Sequence, residues 1–347
     1  MTEAMSLYNL DKAYLSQKAA ESGFVRDTLE KVYRLADVLS FIYSDAALSE
    51  NLVLKGGTAI NLTVFNLPRL SVDIDLDFDR RCGKDDMLAI REEIGNRLLR
   101  YMQASGYAPS GKQKDAHALA SWVFRYQSSA GNHDNIKIEI NYSMRQHILP
   151  AREACVDIDV LGAPIPVRTL APVELFGSKI KALTERGAAR DLYDVHNMIR
   201  MGLFDESERD LLRKCVLFYR AVGSTGKFQE EINLDGVDRL SQHTILQDLV
   251  PVLRKGAKTE LEAMRAEVKS FASELLVPNQ REQMFLREFA EGIYEPSLLF
   301  DDADILERIS DHPMAIWKCE KIRQTQNAEQ TVQTEHKADG PSLTMSM

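Results

Sequence analysis

Four aspartates stand at every second position in SVDIDLDFD, residues 71–79. They are Asp73, Asp75, Asp77 and Asp79. The apolar residues between them predict a β-strand, although aspartate itself is a poor strand former. Alternate side chains of a strand share a face, so neighbouring carboxylates would lie about 6.6 Å apart on one side. Carboxylates at this spacing can converge on cations that lie between them.

The chemistry that best suits this strand is the binding of Mg²⁺ with a phosphorylated substrate. Mg²⁺ prefers one or two carboxylates together with phosphates and water. Two such ions about 4 Å apart can hold the attacking and leaving oxygens of a phosphoryl displacement. The plain alternative is a solvated strand face, and a calcium site is a weaker rival because the 12-residue calcium loop is absent. We expect Asp77 to be supporting or solvated and Asp79 to lie beyond the strand.

A glycine pair precedes this strand, in LKGGTAINL at residues 54–62. A strand that ends at Gly56 and Gly57 and passes into a helix exposes backbone N–H groups, which can bind phosphate. Lys55 would add a charge and Thr58 a hydroxyl. The segment is neither a P-loop nor a dinucleotide fingerprint. Without the neighbouring motif, a simple strand-to-helix turn would be the better interpretation.

A third carboxylate can come from a later predicted strand, IKIEINYS at residues 136–143. Glu139 lies on its polar face, opposite a face of three isoleucines. If this strand neighbours the aspartate strand, Glu139 joins the same site. An ordinary exposed glutamate is the alternative.

A charged helical segment follows, ELFGSKIKALTERGAARDLYDVHNMI at residues 174–199. Lys179, Arg186, Arg190 and Asp194 recur at intervals that would place them on one helical face. Gly187 is predicted to break the helix, and Asp191 is predicted to be the N-cap of the next one. A solvated ion-pair face remains the alternative to a functional role.

The predicted secondary structure that must position these residues differs between the two halves of the chain. Residues 1–168 are predicted to form a mixed α and β domain with N-terminal helices. Residues 169–317 are predicted to be almost entirely helical, and the polar residues 318–347 are expected to form a disordered tail.

Composition limits the class of protein. The chain has 347 residues, a formal charge of −9 and a pI of about 5.4, which argues against coating of nucleic acid by its overall field. No run of about 18 apolar residues predicts a membrane span. The N-terminal residues lack a signal-peptide pattern, and the four scattered cysteines have no metal-ligand spacing. We therefore expect a cytoplasmic protein with reduced thiols and no membrane partner.

Taken together, the motifs resemble those of the DNA polymerase β-like nucleotidyltransferases. Three segments are similar to motifs of the AbiEii/AbiGii toxin family within that superfamily: LKGGTAINL, RLSVDIDLDF and KIKALTERGAARDLYDV. The resemblance covers residues 30–200. It implies an α+β fold in which a mixed-sheet nucleotidyltransferase domain is followed by a helical domain that completes the active-site cleft.

The resemblance also implies roles for residues. The segment that binds nucleotide and metal falls on Gly56, Gly57, Ser71, Asp73 and Asp75, with Lys55 before the glycines. Lys179 would hold the triphosphate, with Arg186 and Arg190 beside it. Asp191 or Asp194 would activate the acceptor or position the base. The superfamily often has serine after the glycine, whereas this chain has Thr58, so the role of that hydroxyl is open.

The implied reaction is nucleotidyl transfer. Two Mg²⁺ ions, or Mn²⁺ as a substitute, would lie on Asp73 and Asp75 and orient an NTP, and Glu139 would deprotonate an acceptor hydroxyl. Family members are toxins of toxin–antitoxin and abortive phage-infection systems, paired with a separately encoded antitoxin, and several act on the 3′ end of tRNA. Transfer to a small molecule or a protein, or nucleotide binding without turnover, are the alternatives. Four basic residues that flank the acidic strand would contact RNA or be solvated: Arg69, Arg80, Arg81 and Lys84.

Overall fold

The strand that carries the aspartates lies at the centre of an eight-stranded mixed sheet. The computed structural model describes residues 8, 10–111, 114–116, 118–223 and 228–338, with backbone alone for 114–116 and 328–338. The strands are β1 Leu52–Leu54, β2 Asp73–Phe78, β3 Ala108–Pro109, β4 Lys114–Ala116, β5 Leu119–Gln127, β6 His133–Asn141, β7 Arg152–Val156 and β8 Ile165–Thr169. Their order is β3-β5-β6-β2-β1-β8-β7, and β4 pairs with β5 at one edge.

Strand β2 has a neighbour on each side. It pairs antiparallel with β1, which ends at the glycine loop, and parallel with β6. Its apolar residues Ile74, Leu76 and Phe78 are completely buried. Because strand side chains alternate between faces, this burial sends the aspartates to the other face of the sheet. The three predicted strands are confirmed: one before the glycine pair, one that carries Asp73 and Asp75, and one that carries Glu139.

Helices cover the sheet and form the second half of the chain. The helices before β3 are α1 Lys12–Ser22, α2 Arg26–Ser44, α3 Ala46–Ser49, α4 Gly56–Ala59 and α5 Lys84–Ala104. Those after the sheet are α6 Pro172–Arg186, α7 Ala189–Arg200, α8 Glu206–Gly223, α9 Asp235–Asp238, α10 Gln242–Thr244, α11 Leu261–Leu275, α12 Gln280–Ala290, α13 Ala303–Ile309 and α14 Pro313–Ala338. A π-helical turn, Ile60–Val64, extends α4, and a second one, Ile245–Leu249, extends α10. None of the helices in the described ranges is long and apolar enough to cross a membrane.

Two hydrophobic cores organise these elements. The larger joins the buried sheet face to α2, α5, α6, α7 and α11. The smaller lies among α8, α12, α13 and α14 and reaches the loop of Met144 and Ile148. The α+β fold is therefore confirmed. The predicted boundary at residue 168 falls inside β8, whose last residue, Thr169, pairs with Leu54 of β1.

The C-terminal residues differ from the prediction of a disordered tail. Helix α14 continues to Ala338, so the prediction is wrong for residues 318–338, while residues 339–347 lie outside the described part. Cys319 is buried, and Ile322 packs against the smaller core. Ala315, Cys319 and Ile322 recur at helical spacing, a pattern that the polar composition of residues 318–347 obscured. All four cysteines are free thiols, as predicted.

Candidate active site

The glycine loop lies directly against the aspartate strand. The amide of Lys55 donates to the carbonyl of Asp75 at 3.0 Å, which holds the end of β1 beside β2. Gly56 has φ of +70°, a conformation that favours glycine. A Cβ added at Gly56 would lie 2.6 Å from Oδ2 of Asp75, and one at Gly57 would lie 2.7 Å from Nη2 of Arg69. Gly56 is therefore required for this close approach, whereas a Cβ at Gly57 would clash only with the end of the Arg69 side chain.

Asp73, Asp75 and Glu139 lie side by side on the open face of the sheet. In the parallel register of β2 and β6, Asp75 is opposite Glu139 and Asp73 is opposite Lys137. Lys137 forms an ion pair with Glu139 at 2.5 Å. Burial raises the pKa of Asp75, and the negative charges of Asp73 and Glu139 raise it further, against the opposing effect of Lys55 and Lys179. A bound cation would relieve this repulsion.

These donors fit a magnesium ion that is shared with a substrate. Among the described residues, no three His, Cys, Asp or Glu side chains already form a cluster able to hold a metal. Asp73 and Asp75 provide two carboxylates, which is the number that Mg²⁺ commonly takes from protein when phosphates complete its shell. Both carboxylates line the cleft described below, where a substrate could reach them. The prediction of a metal site on these two residues stays a prediction.

The hydroxyls of Thr58 and Ser71 connect the loop to the strand. Both residues are buried, and their Oγ atoms are 2.7 Å apart. Thr58 also donates to the carbonyl of Asp73. Thr58 therefore stabilises the loop on β2, while Ser71 also lines the cleft described below.

Asp77 and Asp79 belong to a separate network beneath this site. The ring of the buried His147 contacts Asp77 through Nε2 at 3.1 Å and Asp79 through Nδ1 at 2.9 Å. Burial alone would lower the pKa of His147, but hydrogen bonds to the two carboxylates outweigh it and raise the pKa to about 10. Lys55 pairs with Asp77 at 2.5 Å, and Arg168 pairs with Asp79 at 2.5 Å. Asp77 is thus supporting, Asp79 lies beyond the strand as predicted, and Lys55 is engaged in this network.

Helices α6 and α7 supply the opposite wall. Gly187, in the left-handed region with φ of +59°, ends α6, which confirms the predicted break. The prediction of Asp191 as an N-cap is wrong: Ala188 takes that position, and Asp191 is the third residue of α7. The carboxylate of Asp191 instead accepts from Lys179 and Arg186, each at 2.8 Å. The ion pairs between the two helices outcompete a local capping bond.

Asp194 occupies a deeper position than Asp191. It is fully buried and accepts two hydrogen bonds from Arg69, from Nε at 2.8 Å and from Nη2 at 2.6 Å. Nζ of Lys179 is 3.3 Å from Asp194, and Nδ2 of Asn61 is also 3.3 Å away. Burial would lower the pKa of Lys179, but Asp191 and Asp194 raise it, so the amine stays protonated.

The two walls enclose a cleft of about 400 Å³. Of the predicted site residues, it is lined by Gly57, Ser71, Asp73, Asp75, Glu139, Lys179, Arg186, Arg190 and Asp191. Arg186 lies at the rim with its side chain 65% exposed, and Nε of Arg190 donates to the carbonyl of Asp248 at 3.0 Å. Among the described residues, the lining does not include Lys55, Gly56, Thr58 or Asp194.

The structure also brings to the cleft residues that sequence reasoning missed. Arg69, expected only as a flanking charge, is 2% exposed and lines the cleft with Lys137 and Asp248. The other flanking cations lie elsewhere: Arg81 pairs with Asp311 at 2.5 Å, and Arg80 contacts Asn51 at 3.3 Å. Lys137 could have been predicted from the sequence, because it precedes Glu139 by two positions and therefore shares its strand face. No local sequence pattern indicates Arg69 or Asp248.

This combination of a mixed sheet, an Asp-x-Asp strand beside a glycine loop and a basic helical wall defines a nucleotidyltransferase-like protein. The fold is similar to that of MenT4, a nucleotidyltransferase toxin of Mycobacterium tuberculosis, with a TM-score of 0.58 and 18% sequence identity over 89% of this chain and 99% of that one. A CdnC–HORMA complex of Escherichia coli matches at a TM-score of 0.23, 12% identity, 81% of this chain and 96% of that one, which is too weak for an argument. No curated protein sequence matches.

The family model for the nucleotidyl transferase AbiEii toxin of type IV toxin–antitoxin systems matches residues 38–288. The chain belongs to this family, and the match confirms the resemblance found in the motifs.

Proposed function

We propose that this toxin transfers a nucleoside monophosphate from an NTP to RNA, with the 3′ end of tRNA as the acceptor. The observation that supports this proposal is the division of charge in the cleft. Asp73, Asp75 and Glu139 line one wall, and Lys179 and Arg186 line the other. A triphosphate with its bound cations is complementary to both walls.

Asp73 and Asp75 would hold Mg²⁺, or Mn²⁺ in its place. When bound, the metal supplies charge neutralisation and orients the phosphates for in-line displacement. The chain contributes a fixed pair of carboxylates, which the sheet register sets and which the glycine loop contacts at Gly56.

Lys179 would contact the triphosphate. An ammonium group has three donors, of which Asp191 and Asp194 take two, so one N–H remains for a phosphate oxygen. The exposed guanidinium of Arg186 at the rim can turn from Asp191 to the same phosphates. Its movement would leave Asp191 available to position the base or the acceptor.

Glu139 would act as the general base. In the proposed step, the acceptor hydroxyl gives its proton to Glu139 while its oxygen forms a bond to the α-phosphorus. The bond from that phosphorus to the bridging oxygen breaks, and pyrophosphate leaves with the electron pair. Nζ of Lys137 lies 2.5 Å from Oε2 of Glu139 and would hold this carboxylate in position on the strand.

Label transfer tests the proposal. The protein is incubated with each α-³²P-labelled NTP, total RNA and Mg²⁺, and the products are separated into RNA, protein and small molecules. We expect label at RNA 3′ ends, its loss in Asp73→Asn, and its retention in Asp86→Asn, a matched change of an exposed aspartate in α5. Label in protein or small molecules would refute the RNA acceptor. If the Asp73→Asn toxin still stops growth, catalysis is refuted and nucleotide binding without turnover is favoured.

A separately encoded antitoxin is the proposed protein partner, as type IV toxin–antitoxin membership implies. Expression of the gene beside this one should restore growth in cells that make the toxin. If no neighbouring gene restores growth, the proposed pairing fails while the transfer assay still stands.

A further inference from the structure

A cationic and aromatic surface on α14 has no role in the chemistry of the cleft. Trp317 is one of two tryptophans in the chain, and its side chain is 48% exposed. The Nζ atoms of Lys318 and Lys321 lie 5.8 and 5.2 Å from the centre of its ring. Such distances allow cation–π attraction, which orders the lysines around the ring.

Lys181 of α6 adds a third positive charge. Burial lowers the pKa of Lys318, and the nearby charges of Lys181 and Lys321 lower it further, against the opposing charge of Glu185. Glu185 pairs with Lys181 at 2.7 Å. We call Trp317, Lys318, Lys321 and Lys181 the Trp317 surface. Three ammonium groups close to one exposed aromatic ring would attract a polyanion.

We propose that the Trp317 surface binds the RNA acceptor, with a base stacked on Trp317 and phosphates on Lys318 and Lys321. An aromatic ring beside basic side chains is the usual means of holding unpaired nucleotides. Tryptophan is also enriched at protein interfaces, but lysine is depleted there, so the lysines favour a polyanion as the ligand. The inference deepens the proposed function, because it names where the acceptor would be held.

The location of this surface suits an acceptor larger than the cleft. Lys181 follows Lys179 by two positions on α6, so the two side chains leave nearly opposite sides of one helix. The cleft and the Trp317 surface therefore lie on different sides of α6, and a folded RNA is large enough to contact both. Trp317, Lys318 and Lys321 lie outside the residues matched by the family model, 38–288.

Fluorescence tests the proposal without catalysis. In Trp122→Phe, Trp317 is the only tryptophan, and deacylated tRNA is added without NTP. We expect quenching of Trp317 by base stacking. Trp317→Ala in the otherwise unchanged chain should weaken tRNA binding about fivefold to 150-fold, measured by filter binding.

Charge variants provide the matched comparison. Lys318→Gln with Lys321→Gln should weaken binding and reduce the slope of log K against log salt by about 0.7–0.9 for each lost phosphate contact. Lys255→Gln with Lys258→Gln removes the same charge from exposed loop positions and should change neither. Glu320→Gln, which removes an exposed negative charge on α14, should strengthen binding.

The inference is overturned if the protein does not bind tRNA, or if Trp317 fluorescence is not quenched in the tRNA complex. It is also overturned if the two double-lysine variants lose the same tRNA affinity. Loss of antitoxin neutralisation with unchanged tRNA affinity would also overturn it, because the surface would then bind a protein. If tRNA binds as described but takes up no label, the inference stands and the proposed reaction fails.

Discussion

The two aspartates of α7 should differ sharply in what their loss does to stability. Asp194 is completely buried and bonds the guanidinium of Arg69, which is itself 2% exposed. Asp194→Asn removes the negative charge and leaves a buried cation without its partner. Breaking a buried pair in this way costs about 3–5 kcal/mol. That loss is a large part of the about 5–15 kcal/mol that separates folded from unfolded domains.

Asp191→Asn should cost less, about 1.5–3 kcal/mol, on the scale of lost hydrogen bonds to charged groups. One of its partners, Arg186, is 65% exposed and would be solvated after the change. The other, Lys179, keeps its contact with Asp194. We nevertheless expect both variants to lose label transfer, because both carboxylates hold the amine that faces the cleft.

Urea unfolding without metal at pH 7, followed by circular dichroism, measures the difference. The matched control is Asp248→Asn, which changes an exposed aspartate of the same cleft and should stay within about 0.5 kcal/mol of the unchanged protein. If Asp194→Asn unfolds with the stability of the control, or if Asp191→Asn loses as much as Asp194→Asn, the assignment of Asp194 to the buried framework is incorrect.

Three further results are expected. Gly56→Ala should remove label transfer. It should also destabilise the fold by more than the about 1–2 kcal/mol that a left-handed backbone costs a non-glycine residue, because the new Cβ meets Asp75. The control is Gly106→Ala, with φ of +80° and open space around it, which should show the backbone cost alone in urea unfolding. Asp73→Asn should weaken Mg²⁺–NTP binding in calorimetry and leave metal-free stability unchanged or higher, so a large loss of stability would contradict a metal-binding role. The pKa of His147 is raised to about 10 from an ordinary value of 6.5, so its charge stabilises the fold fully below pH 6.5 and this stability is lost as pH rises towards 10. The free energy of unfolding should therefore fall over that interval by up to about 1.4 kcal/mol per pH unit. A flat profile of unfolding free energy against pH would count against the charged histidine. So would a profile that His147→Gln leaves unchanged.

Local patterns were enough to predict the elements that carry the chemistry. The alternation of Asp73 and Asp75 with buried apolar residues indicated a strand with one acidic face, because side-chain direction in a strand depends only on sequence parity. The glycine pair and the break at Gly187 were also predictable, since each reflects a backbone conformation that favours glycine. The family followed from these motifs in combination.

Contacts between residues that are far apart in the sequence were determined only by the tertiary structure. Asp191 is an interhelix ion-pair partner and not an N-cap, because Lys179 lies across the turn. Arg69 reaches Asp194 over 125 positions, and His147 reaches Asp77 over 70. Polar residues of this kind look solvated in a sequence, and only the burial imposed by packing makes their pairing necessary. The sequence by itself determined which strand and loop carry the chemistry, and the folded structure determined which charges hold them in place.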